Sequence, residues 1–391
     1  MCAMLDLSTL TDPIPLARRL IQAPSVTPAD AGALDVLSEA LEALGFECTR
    51  FKFEDVDNLY ARLGKAAPVF CFAGHTDVVP PGDEAAWSRG PFEAEIADDV
   101  LWGRGASDMK GAIAAMVAGV ARHIQNEGQP AGSIAFLITG DEEGPAVNGT
   151  KKLLQAVAEK GERFDHCLVG EPTNPHHLGD TIKVGRRGSL NGIVTVTGQQ
   201  GHVAYPEKAE NPIPVLIDFL NKLTDRTLDK GAPHFQPSNL EVTTIDVGNA
   251  PHNVIPAKAT AKFNIRFNTA QTGDGLKQWI REEAAVLKQG FFGDIHLDLT
   301  VTGDAFLTKT GPFTDLLRDA VKDHTGREPA LTTGGGTSDA RFIKDYCPVA
   351  EFGLVGETMH QVDERVPVSD VTGLAAIYAD VLQRYFKTFA S

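Results

Sequence analysis

The sequence predicts a layered α/β domain with a mixed sheet, into which a second, ferredoxin-like α+β domain is inserted. Three observations support this. Short apolar segments that end at glycine alternate with helical segments in the first half, strands with one polar face replace them near residue 184, and the first pattern returns near residue 302. We therefore assign residues 1–183 and 302–391 to the first domain and residues 184–301 to the inserted domain.

The first domain begins with two helices and continues with buried strands. Residues 13–21 and 31–44 show helical spacing of apolar side chains, and Gly45 is a suitable stop for the second helix. The small-residue segment 110–124 is typical of a helix that packs closely on a sheet. Apolar runs that end at glycine favour strands covered on both faces. They are residues 68–74, 133–140 and 166–170.

The inserted domain combines alternating strands with amphipathic helices. Four segments alternate polar and apolar residues as strands with one solvated face do. They are residues 188–198, 239–248, 259–268 and 296–303. Helical patterns cover residues 211–225 and 274–289. The resulting order β-α-β-β-α-β is that of a ferredoxin-like sandwich. A helix at 311–326 and a glycine-rich turn at 334–336 then return the chain to the first domain.

Composition excludes several classes of protein. A chain of 391 residues with 42% hydrophobic and 23% charged residues is expected to be globular with two domains. The formal charge of −16 argues against nucleic acid or an anionic membrane as partner. The N-terminus lacks a signal-peptide pattern, and the absence of a CxxC pair argues against disulfides and thiolate zinc sites. A reducing cytoplasm is therefore expected. The scattered cysteines are Cys2, Cys48, Cys71, Cys167 and Cys347.

Two of the motifs place candidate metal ligands at the ends of secondary-structure elements. GHTDVVP (74–80) follows a predicted strand, and His75 and Asp77 share one face if the segment is extended. A polar turn is the alternative interpretation. GRGASDMKG (103–111) places Asp108 directly before a helix, where an aspartate is more often a simple cap.

Three further motifs add acids and a histidine. TGDEEGP (139–145) brings Glu142 and Glu143 together after a strand, and such crowded acids need a cation or a proton unless the loop is simply solvated. LVGEPT ends another strand with Glu171, and MHQVDE supplies His360, which alone would be an ordinary histidine. Strand ends that deliver imidazole and carboxylate to one edge, without thiolate, predict a two-metal hydrolase, with zinc as the expected metal.

These motifs, with QGHVAYP (200–206), resemble the dinuclear zinc aminoacylase/carboxypeptidase family of metallopeptidases over almost the whole chain. Three segments, KVGRRGSLNG, PHNVIPA and GGGTSDARF, narrow the resemblance to one bacterial subgroup whose substrate is an acidic N-acyl amino acid. The resemblance implies two Zn²⁺ ions, although cobalt or manganese accepts similar ligands. It also implies a cis peptide bond between Asp108 and Met109.

The resemblance assigns a role to each candidate residue. One zinc takes His75 and Glu171, and the other takes Glu143 and His360. Asp108 bridges the two ions. The catalytic residues that it implies are Asp77, which steadies His75, Glu142, which is the general base, and His202, which stabilises the oxyanion from the partner subunit. Two divalent cations, the three carboxylates of Asp108, Glu143 and Glu171, and one hydroxide sum to a neutral cluster, which favours burial.

A site built across two domains needs closure to exclude water, and hinges near residues 184 and 302 would permit it. The exposed sheet edge and helix faces of the inserted domain favour a homodimer formed through it. Arginine suits an acidic substrate because its guanidinium binds both oxygens of a carboxylate. A surface ion pair is the alternative for each arginine and the favoured one for Arg187. Gly356 stands where relatives carry asparagine, which weakens any side-chain contact there. The substrate contacts that the resemblance implies are Arg186, Ser189, Tyr205, Asn253, Arg266, Thr337 and Arg341.

The expected reaction is hydrolysis of an amide bond by a metal-activated water, with Glu142 as the base. Within the family, a related deacylase such as acetylornithine deacetylase, or a dipeptidase, remains an alternative. A non-catalytic binding module would lack the base or a ligand, whereas this chain has all of them. A nucleotide site is disfavoured because GRGASDMKG contains neither GxGxxG nor a P-loop.

Overall fold

The computed structural model describes residues 7–390, so that Cys2 lies outside the described residues. The chain forms two compact units. Unit 1 contains the described residues up to Gly185, the segment Thr308–Thr332 and the segment that begins at Ser338. Unit 2 contains Arg186–Leu307 and Thr333–Thr337. A mixed α/β unit thus receives a second unit as an insertion, and the predicted fold class is confirmed.

Nine α-helices are present in residues 7–390. They are α1 Pro13–Gln22, α2 Ala33–Ala43, α3 Lys110–Glu127, α4 Thr150–Glu159, α5 Pro212–Thr224, α6 Gly273–Lys288, α7 Pro312–Thr325, α8 Ala340–Ile343 and α9 Val368–Phe389. Short 3-10 helices occupy Thr9–Thr11, Glu84–Ala86 and Pro206–Lys208. None of the helices in this range combines the length and the apolar character that crossing a bilayer requires.

Nineteen strands are present in the same range. They are β1 Glu47–Phe53, β2 Val56–Leu63, β3 Val69–His75, β4 Ile96–Ala97, β5 Val100–Trp102, β6 Ser133–Thr139, β7 His166–Val169, β8 Thr181–Lys183, β9 Gly185–Arg186, β10 Gly188–Thr197, β11 Gly201–His202, β12 Asn239–Asp246, β13 Val254–Ile255, β14 Lys258–Phe267, β15 Asp294–Gly303, β16 Phe306–Leu307, β17 Ala330–Thr332, β18 Val349–Glu351 and β19 Arg365–Pro367.

Unit 1 is built on an eight-stranded mixed sheet with the order β1-β2-β6-β3-β7-β18-β8-β17. The three strands predicted from apolar runs, β3, β6 and β7, lie side by side in its middle, and β3 is parallel to both neighbours. All seven residues of β3 and of β6 are buried, as expected for strands covered on both faces. The hairpin of β1 and β2 extends the sheet at one edge.

Helix α3 packs directly on α9 in unit 1. Small residues make this close approach possible. A Cβ atom at Gly119 would lie 2.8 Å from the Cβ of Tyr378, so that glycine is required where the two helices meet. The side chains of both helices join one core with the sheet, in which Phe72 and Tyr378 contact each other edge to face.

Unit 2 has the predicted ferredoxin-like order of elements: β10, α5, β12, β14, α6 and β15. Its four-stranded antiparallel sheet has the order β12-β14-β10-β15. One face of the sheet packs with α5 and α6 in a separate core that includes Phe219, Phe263 and Trp279. Unit 2 therefore has a hydrophobic core of its own, as a domain requires.

Candidate metal centre and active site

Three neighbouring strands of unit 1 deliver the predicted residues to one edge of the sheet. His75 is the last residue of β3 and lies opposite Thr139, the last residue of β6. Glu142 and Glu143 follow β6, and Glu171 follows β7. Because these strands are parallel, their carboxyl ends meet at the same edge, which is where open α/β sheets bind ligands.

Two loops complete the cluster. Asp108 lies just before α3, and the peptide bond between Asp108 and Met109 is cis, as the resemblance predicts. His360 lies in the loop between β18 and β19 and has a left-handed backbone with φ of 62°. A Cβ atom at Gly74 would collide with the side chain of Met109, so glycine beside His75 allows this loop to pack against the strand end.

The two histidines face different oxygens of one carboxylate. Nε2 of His75 lies 3.2 Å from Oδ1 of Asp108, and Nε2 of His360 lies 3.3 Å from Oδ2. Each histidine has a second carboxylate beside it. Glu171 Oε1 is 3.8 Å from His75 Nε2, and Glu143 Oε1 is 2.9 Å from His360 Nε2. The structure thus brings together all five residues predicted as metal ligands.

The residues present fit a metal pair. Nε2 of His75 and Oδ1 of Asp108 are buried, and neither atom has a hydrogen-bond partner among the described residues. Nδ1 of His75 donates to the backbone carbonyl of Asp77 at 2.9 Å. In the neutral ring this leaves the lone pair on Nε2, the atom that would bind a cation. A cation shared by Nε2 and Oδ1 would satisfy both orphaned atoms.

Asp77 contacts His75 through both its backbone and its side chain. The carboxylate of Asp77 lies 3.7 Å from Nδ1 of His75, and the backbone carbonyl of Asp77 accepts the hydrogen bond from that nitrogen at 2.9 Å. The carboxylate also accepts the backbone N–H groups of Glu142, at 3.2 Å, and Glu143, at 3.0 Å. Asp77 therefore holds the loop of Glu142 and Glu143 as well as contacting His75.

The cluster carries more negative charge than a buried site holds easily. Burial raises the pKa of Glu171 well above its usual value, and the neighbouring Asp108 and Glu142 raise it further. Burial lowers the pKa of His75, but Asp108, Glu171 and Asp77 outweigh this effect and raise it well above normal. Hydrogen bonds to Asp108 and Glu143 raise the pKa of His360 to about 10. Divalent cations would compensate the same charge that protons compensate here.

Glu142 stands apart from the closest ligand contacts. Burial and the nearby carboxylate of Asp339 raise the pKa of Glu142 to about 8. One carboxylate oxygen of Glu142 and ligand atoms of His75 and Glu171 all lie within 4.8 Å of one another, so these three residues could themselves hold a metal ion. Asp339 was not predicted. It is buried and accepts the hydroxyl of Thr150 at 2.6 Å, and its motif GGGTSDARF was the only signal in the sequence.

In unit 2, three predicted residues meet on a small ribbon formed by β11 and β13. His202 pairs with Val254, and Val203 donates to the carbonyl of Asn253 at 3.1 Å. The rings of His202 and Tyr205 lie 5.8 Å apart. Nδ1 of His202 accepts the backbone N–H of Ala204 at 3.1 Å, which in the neutral ring places the proton on Nε2. His202, Tyr205 and Asn253 are all exposed.

Another group in unit 2 contains the predicted arginines. Arg186 is buried and donates to the carbonyl of Gly336 at 3.0 Å. Ser189 and Arg266 are direct partners across β10 and β14, and burial together with the charge of Arg187 lowers the pKa of Arg266. A local excess of positive charge is what an anionic ligand requires.

The expectation that Arg187 forms a surface ion pair is wrong. No carboxylate pairs with Arg187 within the described part of the chain, and its Nη1 donates instead to Asn239 Oδ1 at 3.1 Å. Arg187 lies beside Arg266, where a second positive charge is the neighbour.

The remaining predicted substrate contacts lie in the segment around residues 337–341. Thr337 belongs to unit 2, whereas Arg341 lies in α8 of unit 1, with its guanidinium 4.7 Å from the ring centre of Phe342. Nε of Arg341 is buried without a hydrogen-bond partner among residues 7–390. The N–H of Gly356 bonds to the carbonyl of Asn174 at 2.9 Å.

The chain is similar to several known proteins in sequence and in fold. Residues 71–384 match the model of Peptidase family M20/M25/M40. The chain is 68% identical over 385 residues to succinyl-diaminopimelate desuccinylase of Maricaulis maris, and the alignment covers 98% of each protein. Its fold matches aminopeptidase PepT of Bacillus cereus with a TM-score of 0.79, 19% identity and coverage of 98% and 99% of the two chains. The YXEP protein of Bacillus subtilis, described as a dinuclear metal binding peptidase from the M20 family, matches with a TM-score of 0.72, 16% identity and coverage of 98% and 100%.

Proposed function

The chain belongs to the peptidase family M20/M25/M40, and from this premise we propose that it is a metal-dependent amidohydrolase. Its substrate is N-succinyl-LL-2,6-diaminopimelate, and its products are succinate and LL-2,6-diaminopimelate, a precursor of lysine and peptidoglycan. The identity of 68% along nearly the full length of a succinyl-diaminopimelate desuccinylase supports this substrate. The motifs KVGRRGSLNG, PHNVIPA and GGGTSDARF pointed to the same subgroup.

The position of Asp108 between two histidines is the observation that carries the proposal. His75 and His360 approach opposite oxygens of its carboxylate, at 3.2 and 3.3 Å. A carboxylate that faces two separate nitrogen ligands is suited to bridge two cations. Glu171 beside His75 and Glu143 beside His360 give each cation its own second carboxylate.

Nitrogen and oxygen ligands without thiolate suit two Zn²⁺ ions, and Co²⁺ or Mn²⁺ would accept the same set. His75, Asp108 and Glu171 would hold one ion, and Asp108, Glu143 and His360 the other. When bound, the pair would acidify a water molecule and polarise the amide carbonyl. Asp77 would support ligands of both ions. Its backbone carbonyl accepts a hydrogen bond from His75, and its carboxylate accepts the backbone N–H groups of Glu142 and Glu143.

Glu142 would take the proton of the attacking water and return it to the leaving amine nitrogen. Its raised pKa of about 8 would fall when cations bind beside it, toward the range in which a carboxylate can both accept and donate a proton near neutral pH. His202 would donate a hydrogen bond from its Nε2–H group to the oxyanion of the tetrahedral state. The hydrogen bond from Ala204 to Nδ1 supports this role because it keeps the Nε2 proton available.

The arginines of unit 2 would recognise the carboxylates of the substrate. The cross-strand pair Ser189 and Arg266 would contribute, as would Tyr205 and Asn253 near the ribbon of β11 and β13. Arg186, Thr337 and Arg341 would be further contacts. We propose that unit 2 acts as a lid and as the dimerisation unit of a homodimer, with His202 reaching the active site of the partner subunit. A reducing cytoplasm is the proposed location, since Cys48, Cys71, Cys167 and Cys347 are all free thiols.

The test is hydrolysis of N-succinyl-diaminopimelate beside N-acetylornithine and a dipeptide, by enzyme treated with chelator and then reloaded with zinc. We expect loss of activity on chelation, recovery with zinc and a clear preference for the succinylated substrate. The variant Glu142→Gln should lose about 10²–10⁴-fold in kcat while it still binds two metals. Preference for acetylornithine or the dipeptide would assign the chain to another activity of the family, and full activity without divalent ions would overturn the proposal.

A further inference from the structure

The carboxylate of Glu364 is fully buried in unit 1 and makes four hydrogen bonds. Its Oε1 accepts hydrogen bonds from three backbone N–H groups of one loop, those of Gly105 at 3.1 Å, Ser107 at 2.9 Å and Asp108 at 3.1 Å. Its Oε2 accepts Nη1 of Arg104 at 2.6 Å. One side chain thus fixes the backbone of the loop that presents Asp108.

Arg104 extends this connection to the second ligand loop. Its guanidinium is almost fully buried, and Nη2 donates to the backbone carbonyl of His360 at 3.4 Å. The backbone of the two loops is also joined directly, because Gly103 donates to the carbonyl of Glu364 at 2.9 Å. Glu364 and Arg104 therefore link the loop of Asp108 to the loop of His360, although these residues are far apart in the sequence.

The geometry points to a positioning role for this pair, and we propose that Glu364, together with Arg104, sets the separation between Asp108 and His360. The inference rests on the proposed function, in which Asp108 and His360 hold the same cation with Glu143. Neither Glu364 nor Arg104 would touch the cation. Residues that orient metal ligands from outside typically change metal affinity or activity by about 10–100-fold when they are replaced.

A purely structural role is the alternative, because a buried ion pair whose partner is removed destabilises the fold. The two roles predict different results for the two cations. A structural role would lower the melting temperature and leave the ratio of the two metal affinities unchanged. A positioning role weakens the cation held by Asp108, Glu143 and His360 more than the cation held by His75, Asp108 and Glu171.

The experiment is a stepwise titration of metal-free enzyme with Zn²⁺ by calorimetry, and with Co²⁺ by visible absorption, for wild type and Glu364→Gln. Glutamine keeps the shape and an oxygen for the loop amides but removes the charge that pairs with Arg104. The step that disappears in His360→Ala identifies the cation bound there. We expect the metal affinity of that step to fall by about 10–100-fold in Glu364→Gln, and the affinity of the other step to change much less.

Two controls keep the inference testable. Glu162→Gln removes the carboxylate that pairs with Arg62 in the same unit, away from the ligand loops, and should leave both steps unchanged. Arg104→Lys keeps the positive charge but loses the Nη2 donor to the carbonyl of His360. This variant tests the positioning role if Glu364→Gln does not fold. If Glu364→Gln and Arg104→Lys both bind the two cations with the affinities of wild type, this inference alone is overturned. Failure of wild type to bind two cations would overturn the proposed function and this inference with it.

Discussion

The carboxylate of Asp77 holds the backbone of Glu143, whose N–H donates to Oδ2 at 3.0 Å. The neighbouring N–H of Glu142 donates to the other oxygen of the same carboxylate at 3.2 Å. The proposed base and a proposed ligand are thus fixed by one side chain, which is itself 1% exposed. A loop of three consecutive acids could not keep a defined geometry near two more carboxylates without such an anchor.

Replacement of Asp77 by asparagine should therefore reduce turnover more than substrate binding. The amide retains one oxygen acceptor and presents an N–H₂ group to the other backbone N–H, so that one of the two hydrogen bonds is lost. We expect kcat to fall by about 10–100-fold with little change in KM. Steady-state kinetics with metal analysis measures this. Asp57→Asn, which alters an exposed pair with Lys52, is the matched control, and equal kinetics in both variants would contradict the role of Asp77.

The pH dependence of activity should report the base. Glu142 must be deprotonated to accept a proton, and burial together with Asp339 raises its pKa to about 8 before cations lower it. We expect kcat/KM to rise with pH along an acidic limb whose midpoint lies at or below about 8. The profile is measured at saturating zinc, with metal content checked at each pH. A kcat/KM that does not change with pH at any value up to about 8 would exclude Glu142 as the titrating base.

Metal loading should release protons. Hydrogen bonds to Asp108 and Glu143 raise the pKa of His360 to about 10, so near neutral pH a cation must displace the proton of this ring. Metal affinity should consequently increase with pH up to that pKa. Calorimetry in buffers of different ionisation enthalpy counts the protons. His360→Ala should release fewer than wild type, whereas His324→Ala, which alters a pair with Asp380, should match wild type.

Complementation tests whether His202 acts across a dimer. Glu142→Gln and His202→Ala should each be nearly inactive alone. In a mixed dimer one site has an intact base and receives an intact His202 from the other subunit. Random mixing would then restore roughly a quarter of wild-type activity in a two-fold dimer. No recovery, despite mixed dimers seen by native mass spectrometry, would place His202 in its own subunit's site.

Arg266 should contribute to affinity for the acidic substrate. It lies opposite Ser189 and beside Arg187 in a locally positive region of unit 2. Loss of a hydrogen bond to a charged group costs about 1.5–3 kcal/mol, so Arg266→Ala should lower kcat/KM by roughly 10–100-fold, mainly through KM. Arg281→Ala, on the exposed side of α6, is the control. An unchanged KM in Arg266→Ala would remove this residue from the substrate site.

The parts of the fold that local sequence determines were predicted well. β3, β6 and β7 are apolar runs, and their motifs identified the edge at which His75, Glu143 and Glu171 meet. We did not predict the hairpin of β1 and β2 or the long helix α9, because the spacing of apolar residues in these segments was not distinguished from that of their surroundings. Order along the chain was sufficient to predict unit 2, where the six predicted elements form a four-stranded sheet with two helices packed on it.

The contacts that the sequence could not predict are those between distant segments. Glu364 was visible only as the last acid of MHQVDE, and its hydrogen bonds to Gly105, Ser107 and Asp108 depend on tertiary structure. The same holds for Asp339 beside Glu142. For Asp77, the sequence indicated the partner His75 but could not distinguish a backbone carbonyl from a carboxylate as the acceptor.

The discontinuous sheet of unit 1 has a consequence for biosynthesis. β18 pairs with β7, and β17 pairs with β8, so strands made after unit 2 complete a sheet begun before it. The ribosome must therefore release unit 2 before the larger unit can close. His360 emerges later still, so a nascent chain that ends before it would already carry His75, Asp108 and Glu171 for one cation but would lack a ligand of the other.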